Sequence, residues 1–273
     1  GRSLQYGSYL NSASGSSAVS LAAGPDGDLY LTGQTWSAGL PTTAGAWDTQ
    51  LDGYAADGFA LRFRLDAPAP NAGWVEYGPG SGAGGGISAS PGDSLRPALA
   101  EAPDGALYLA WSEATTTDAE IYVRRWRGGA WEEATPGAAT GGGVSDNGGE
   151  SVAPALAIAP DGTVIVAWAD DSGGDTEIYA RQLRDGTWRE LGGSAATGGV
   201  SNNGGPSQWP ALAVGADGRV YLAWDDASAG NQEIYLRAWD GQRWAELGGS
   251  ASGGGISRSP GESARPRVAL SDG

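Results

Sequence analysis

The chemistry open to this 273-residue chain rests on its 32 Asp and Glu residues, because it holds no His, no Cys and no Lys, and all 16 basic residues are Arg. A zinc finger, a haem ligand, a Ser-His-Asp triad, a thiolate nucleophile, a disulfide framework and a Lys Schiff base are excluded within these residues. Two kinds of carboxylate chemistry remain. Hydrolysis of a glycosidic bond needs only two acids flanking that bond, but no pair stands out among so many. Oxygen ligation of Ca²⁺ needs several carboxylates close together. Asp170, Asp171, Asp175 and Glu177 form the densest such cluster, although their spacing matches no EF-hand and a solvated hairpin tip is the plainer reading.

A third pattern recurs along the chain. Glu113, Asp170 and Asp226 each stand two residues after a Trp, and Arg124, Arg181 and Arg237 follow on the next apolar segment, with Arg62 in an earlier copy. A ring of guanidiniums could grip anionic sugars. Because the set repeats, whereas a single site would break the symmetry, it reads as cross-strand ion pairs of small individual worth.

These residues sit in internal repeats, which decide the architecture. PALAEAPDGALYLAW, PALAIAPDGTVIVAW and PALAVGADGRVYLAW align without gaps, and each leads to an EIY segment, a second Trp and a Gly-rich connector. Asp104, Asp161 and Asp217 mark a period of about 57 residues. A divergent copy precedes them, with a long insertion carrying Trp36, Trp47 and Tyr54, and RPRVALSDG begins a further copy. The expected boundaries are 12–93, 94–150, 151–206 and 207–262, with partial strands at 1–11 and 263–273.

Each copy reads as four short strands: alternating Ala and Leu, then VIVAW or VYLAW after a PDG or ADG turn, then EIYARQL, then a hairpin to TWREL. A sheet this small cannot bury two apolar faces alone, and stacking around an axis buries them pairwise. Small Ala residues suit the crowded centre and Trp and Tyr the wider outer layers. The expected fold class is all-β, a β-propeller of four-stranded antiparallel blades. Trp111, Trp168 and Trp224 recur at one strand end and are expected to pack between blades. Glu101, where other copies carry Ile158 and Val214, faces either the central channel or a buried partner.

VAWADDSGGDTEIYARQLRDGTW resembles a sialidase-type BNR propeller repeat, its RDGTW hairpin being similar to an Asp-box. YGSYLNSASGSSAVSLAAGPDGDLYLTG, with PTTAGAW, resembles the SBBP repeat of bacterial surface and secreted proteins. The resemblance implies a propeller. It does not bring the sialidase activity, since no copy carries the Arg-Ile-Pro signature of that family's arginine cluster.

Function is expected to be that of a non-enzymatic scaffold or adhesion module, secreted or at the cell surface. Its partners would be proteins or surface glycans, and exposed terminal strands would allow self-association. A carbohydrate-binding propeller is the alternative, and a glycoside hydrolase the next. If one local ligand site exists, Trp36, Trp47 and Tyr54 are its first candidates, because long loops on a rigid scaffold often carry function. No organic cofactor is expected, Ca²⁺ being the one metal the acidic loop could take. The formal charge of −16 disfavours nucleic acid, and no apolar run is long enough for a membrane helix. The chain does not begin with Met, which suggests a mature or excised segment without its signal peptide.

Overall fold

The computed structural model describes residues 16–23, 29–35, 57–63, 81, 86–196 and 198–270. Trp36, Trp47 and Tyr54 lie outside them. Strands β1 (Ser16–Ala23), β2 (Leu29–Thr35) and β3 (Asp57–Phe63) form a three-stranded antiparallel sheet. The second sheet holds β4 (Ser94–Glu101), β5 (Leu107–Ala114), β6 (Ala119–Arg127) and β7 (Ala130–Glu133). The third holds β8 (Ser151–Ile158), β9 (Val164–Asp170), β10 (Glu177–Arg184) and β11 (Thr187–Glu190). The fourth holds β12 (Ser207–Val214), β13 (Val220–Asp226), β14 (Glu233–Trp239) and β15 (Trp244–Glu246). Each is an antiparallel meander in chain order, and no helix occurs among the described residues.

The turns explain why the strands end where they do. Asp104, Asp161 and Asp217 each accept, through Oδ1, the backbone N–H two residues on, at 3.1, 2.9 and 3.0 Å. That local bond closes the turn, and the glycine between, at φ near +80°, supplies a backbone angle that a side chain would resist.

The first strands gather the sheets. β4 lies against β8, β8 against β12, and β1 and β2 against β4, which is the blade-to-blade order of a β-propeller. Every residue of β9 is buried, because both faces of its sheet are covered. Val164, Val166 and Trp168 pack with Ala110, Ile121 and Val123 of the second sheet. Ile165, Ala167 and Ala169 pack with Val220, Leu222 and Trp224 of the fourth.

Trp111, Trp168 and Trp224 are at most 2 % exposed, and each sits beside the Tyr paired with it across the strands: Tyr122, Tyr179 and Tyr235. Truncating one such Trp to Ala would cost about 3–5 kcal/mol. Glu101 is half-buried opposite Leu107, the place that Ile158 and Val214 hold opposite Val164 and Val220. The outer face of the fourth sheet differs from the others. Ile256 is 55 % exposed, whereas the equivalent Val144 and Val200 are 1 % exposed, and no described sheet covers it.

Candidate functional site

The repeated carboxylates are directed inward, not toward arginine. In register, Glu113 faces Glu120, Asp170 faces Glu177 and Asp226 faces Glu233. Two acids directly opposite should repel, and the structure answers with donors. Asp170 Oδ2 accepts from Trp168 Nε1 at 2.8 Å, Asn147 Nδ2 at 2.7 Å and Ser151 Oγ at 2.7 Å, while Oδ1 takes the Ser172 N–H at 3.0 Å and the Ser172 hydroxyl. Asp226 repeats the set with Trp224, Asn203, Ser207 and Ser228. Glu113 holds Trp111, Ser90 and Ser94.

The facing glutamates hold the connectors. Glu120 accepts from the Ser145 hydroxyl and the Asn147 N–H, and Glu177 from the Ser201 hydroxyl and the Asn203 N–H. Asn147 and Asn203 then reach forward to the Asp of the following sheet. Glu, Ser, Asn and Asp thus form a polar latch from the second blade to the third and from the third to the fourth. Burial pushes the Glu120 and Glu177 carboxyls above the usual carboxylate range. The Glu233 carboxyl is held below it by the hydroxyl of Ser257, aided by the Ser259 N–H and Asn231.

The expected ion pairs are not made. Arg124, Arg181 and Arg237 stand opposite Leu109, Val166 and Leu222 on one side and Glu133, Glu190 and Glu246 on the other, four residues along from Glu120, Glu177 and Glu233. Each guanidinium instead donates to a connector carbonyl: Arg124 to Ile87 at 2.6 Å, Arg181 to Val144 and Arg237 to Val200. Nor does the acidic loop make a cation cage. Asp170 and Glu177 are turned inward and saturated with donors, Asp171 caps the Glu150 N–H, and Asp175 is exposed. Among the described residues no group of three or more acids converges on a metal position.

The latch leaves space beside it. Between the connectors at 201–203 and 251–258 lies a cleft of about 770 Å³, walled by Trp224, Tyr235 and Arg237 and crossed by Ser228, Asn231 and Glu233. The Tyr235 hydroxyl donates to the Gly253 carbonyl, Asn231 Nδ2 donates to Glu233 Oε1 at 3.0 Å and to the Gly261 carbonyl at 2.9 Å. These bonds fix the walls. Asn202 and Arg258, both exposed and both at positive φ (41° and 43°), stand at the lips. Glu233 is the one carboxylate lining the cleft among the described residues. The Gly- and Ser-rich connectors read from sequence as blade-to-blade crossings ordered by their neighbours, and that reading gave their Ser and Asn side chains no role. Their recurrence as Ser145-x-Asn147, Ser201-x-Asn203 and Ser257-x-Ser259, each in step with a Glu, was the available signal.

No family model matches the chain, and no curated protein does. Solved structures resemble it. A protein of unknown function from Dyadobacter fermentans DSM 18053 superposes with a TM-score of 0.51 at 16 % identity, over 83 % of this chain and 62 % of that one. An endo-arabinase from Bacteroides thetaiotaomicron VPI-5482 gives 0.46 at 15 %, over 89 % and 75 %. The GH93 α-L-arabinofuranosidase of Fusarium graminearum gives 0.40 at 18 %, over 56 % and 47 %. The chain spans less than two thirds of the first of these, and likeness at such identity speaks to the fold. It also corrects the expectation of a non-enzymatic scaffold or adhesion module: the activities named among these neighbours are glycoside hydrolyses, and neither is a scaffold or an adhesin.

Proposed function

We propose that the protein handles glycans, and that the cleft between the third and fourth blades grips a saccharide. The observation that carries the reading is the cleft itself. It has the volume of a small-ligand site, two aromatic rings at its wall, and amide, hydroxyl and guanidinium groups converging at its lips. A sugar presents a rim of hydroxyls to such groups, while Trp224 and Tyr235, 1 % and 4 % exposed, back the wall without offering an open ring face. The latch holds these walls before ligand arrives, which spares the ordering cost of binding.

The finer organisation goes with this reading: four complete blades in BNR- and SBBP-like repeats of a secreted or cell-surface protein, with 1–11 and 263–273 as parts of a further blade. The bond from Ser263 N to Gln232 O at 2.7 Å supports it, since it repeats the bond from Ser207 N to Thr176 O.

The test is an array of neutral mono- and disaccharides, followed by calorimetry on those that bind. Asn202→Ala and Arg258→Ala should each weaken binding about tenfold, roughly 1.4 kcal/mol, without moving the melting temperature. A silent array, or binding indifferent to both variants, refutes the cleft. Release of reducing sugar from the same compounds would add hydrolysis to recognition.

A further inference from the structure

β4, β8 and β12 each carry a bulge near their start. It holds Arg96, Ala153 and Trp209 at φ of 54°, 55° and 53°, and the equivalent Arg265 has 56°. Non-glycine residues avoid this region, so its recurrence at one repeat position marks a feature of the fold. A bulge also re-aims the side chain it carries.

The consequence is visible in which side chains meet. Arg96 and Arg265 belong to repeats that are not neighbours, yet their guanidinium carbons lie 4.6 and 4.5 Å from the centre of the Trp209 ring. Ala153, which occupies the position between them, is too small to intervene. Side chains from three repeats can converge in this way only at the axis that the first strands surround.

We propose that Arg96, Trp209 and Arg265 form an oxyanion site on that axis, taking a carboxylate, sulfate or phosphate group. Two cations beside one ring repel each other. Burial and the nearby Arg265 both lower the proton affinity of Arg96, so the arrangement leaves positive charge unsatisfied. Among the described residues neither guanidinium has a carboxylate within 4.0 Å, although acids outnumber arginines 32 to 16 in this chain.

Asp225, a buried acid nearby, feels the charge of Arg265 but makes no ion pair with either guanidinium among the described residues. Its Oδ2 accepts the backbone N–H of Arg265 at 2.9 Å, which places that residue and leaves its guanidinium fork free of the carboxylate. A guanidinium fork matches the two oxygens of an oxyanion. Stacking on Trp209 restrains both forks in advance. The negative charge of the whole chain does not forbid such a ligand, because at physiological ionic strength it is screened beyond about 8 Å.

Calorimetric titration with sodium sulfate, sodium phosphate and sodium glucuronate, at ionic strength fixed with chloride, tests the site and separates inorganic anions from a sugar carboxylate. Saturable binding of at least one is expected. Arg265→Gln should weaken it at least tenfold, and Arg96→Gln likewise, while Arg184→Gln on an exposed hairpin should leave it unchanged. Arg265 is exposed, so its variant should keep the circular dichroism and melting of the parent even if the Arg96 variant does not. Failure of all three anions to saturate, or equal weakening by Arg184→Gln, overturns the proposal. Either result leaves the neutral-saccharide cleft standing, because the two sites share no residue.

Discussion

Replacing Asp170 by Asn changes almost nothing in shape and tests whether the latch holds the blades together. The native carboxylate is completely buried and accepts five hydrogen bonds, three at Oδ2 and two at Oδ1. An amide must turn its NH₂ toward one of those sets. The milder choice puts it at the Oδ1 side, where the Ser172 hydroxyl can rotate to accept but the Ser172 N–H cannot. That leaves the part-buried Ser172 N–H without this partner, costing about 1 kcal/mol, and reduces the remaining bonds from charge-assisted to neutral, the larger loss. Part of this is returned, because a buried charge no longer has to be desolvated. The net loss expected is about 3 kcal/mol, or roughly 6–12 °C in melting temperature for a domain of this size. Asp226→Asn should lose a similar amount, since its partners are the same. Urea and thermal unfolding, followed by both tryptophan fluorescence and far-ultraviolet dichroism, reads the change, with coincident transitions as the condition for a single free energy. An Asp170→Asn protein as stable as its parent, or more stable, would show that the carboxylate is a net cost and that apolar packing alone joins the blades.

Two further substitutions and a titration probe other parts of the reasoning. Gly143→Ala should destabilise severely, because its Cβ would lie 2.4 Å from the Ile121 carbonyl and 2.5 Å from Tyr122 Cδ1 at a φ of +61°. Gly162→Ala, at φ +85° in open space, should cost only the backbone strain of about 1–2 kcal/mol, and equal melting of the two variants would contradict the packing. Burial raises the Glu177 carboxyl above its ordinary value of 4.5. Its protonation therefore favours the folded state fully below about pH 4.5, and that contribution fades as pH rises through the raised folded value. Measured against Glu177→Gln, which does not titrate, the parent should lose relative stability between pH 4.5 and neutrality and then level off. A difference that grows over that range would reverse the assignment.

The fold was readable because its causes are local and repeated. The turns at Asp104, Asp161 and Asp217 each carry their own Asx bond, the strands their own alternation, and Trp111, Trp168 and Trp224 each mark a layer. The polar chemistry was not readable in the same way. Asp170 and Arg181 have opposite charges on adjacent strands, and nothing local says that Arg181 pairs four residues away from Glu177. Register decides it, and register follows from the length of the hairpin between them. The partners the acids chose, Ser145, Asn147, Ser201 and Asn203, lie in segments whose Gly and Ser content mimics a flexible linker. Their order comes from contacts with two sheets at once. Arg96 and Trp209 lie farther still from any local rule, since they meet through the curvature of the whole stack.

The repeat also implies that any cleft at the equivalent place between the second and third blades would not copy the one between the third and fourth. Ala89, Asp146, Asn202 and Arg258 occupy the same place in successive connectors, at φ of 49°, 42°, 41° and 43°. The backbone at the lip is therefore constant while its side chain runs from apolar through acidic and amide to cationic. Between the second and third blades the equivalent lips are Asp146 and Asn202; between the third and fourth they are Asn202 and Arg258. A neutral sugar hydroxyl can bond to either pair, but a carboxylate-bearing sugar would be repelled at the first and drawn to the second. With the axial arginine pair disabled by Arg265→Gln, binding of a neutral and an acidic saccharide should then differ in stoichiometry as well as strength. Exchanging Asp146 for Arg should bring the two counts together. Unchanged stoichiometry for the acidic sugar in that variant would mean that the lips do not choose the ligand.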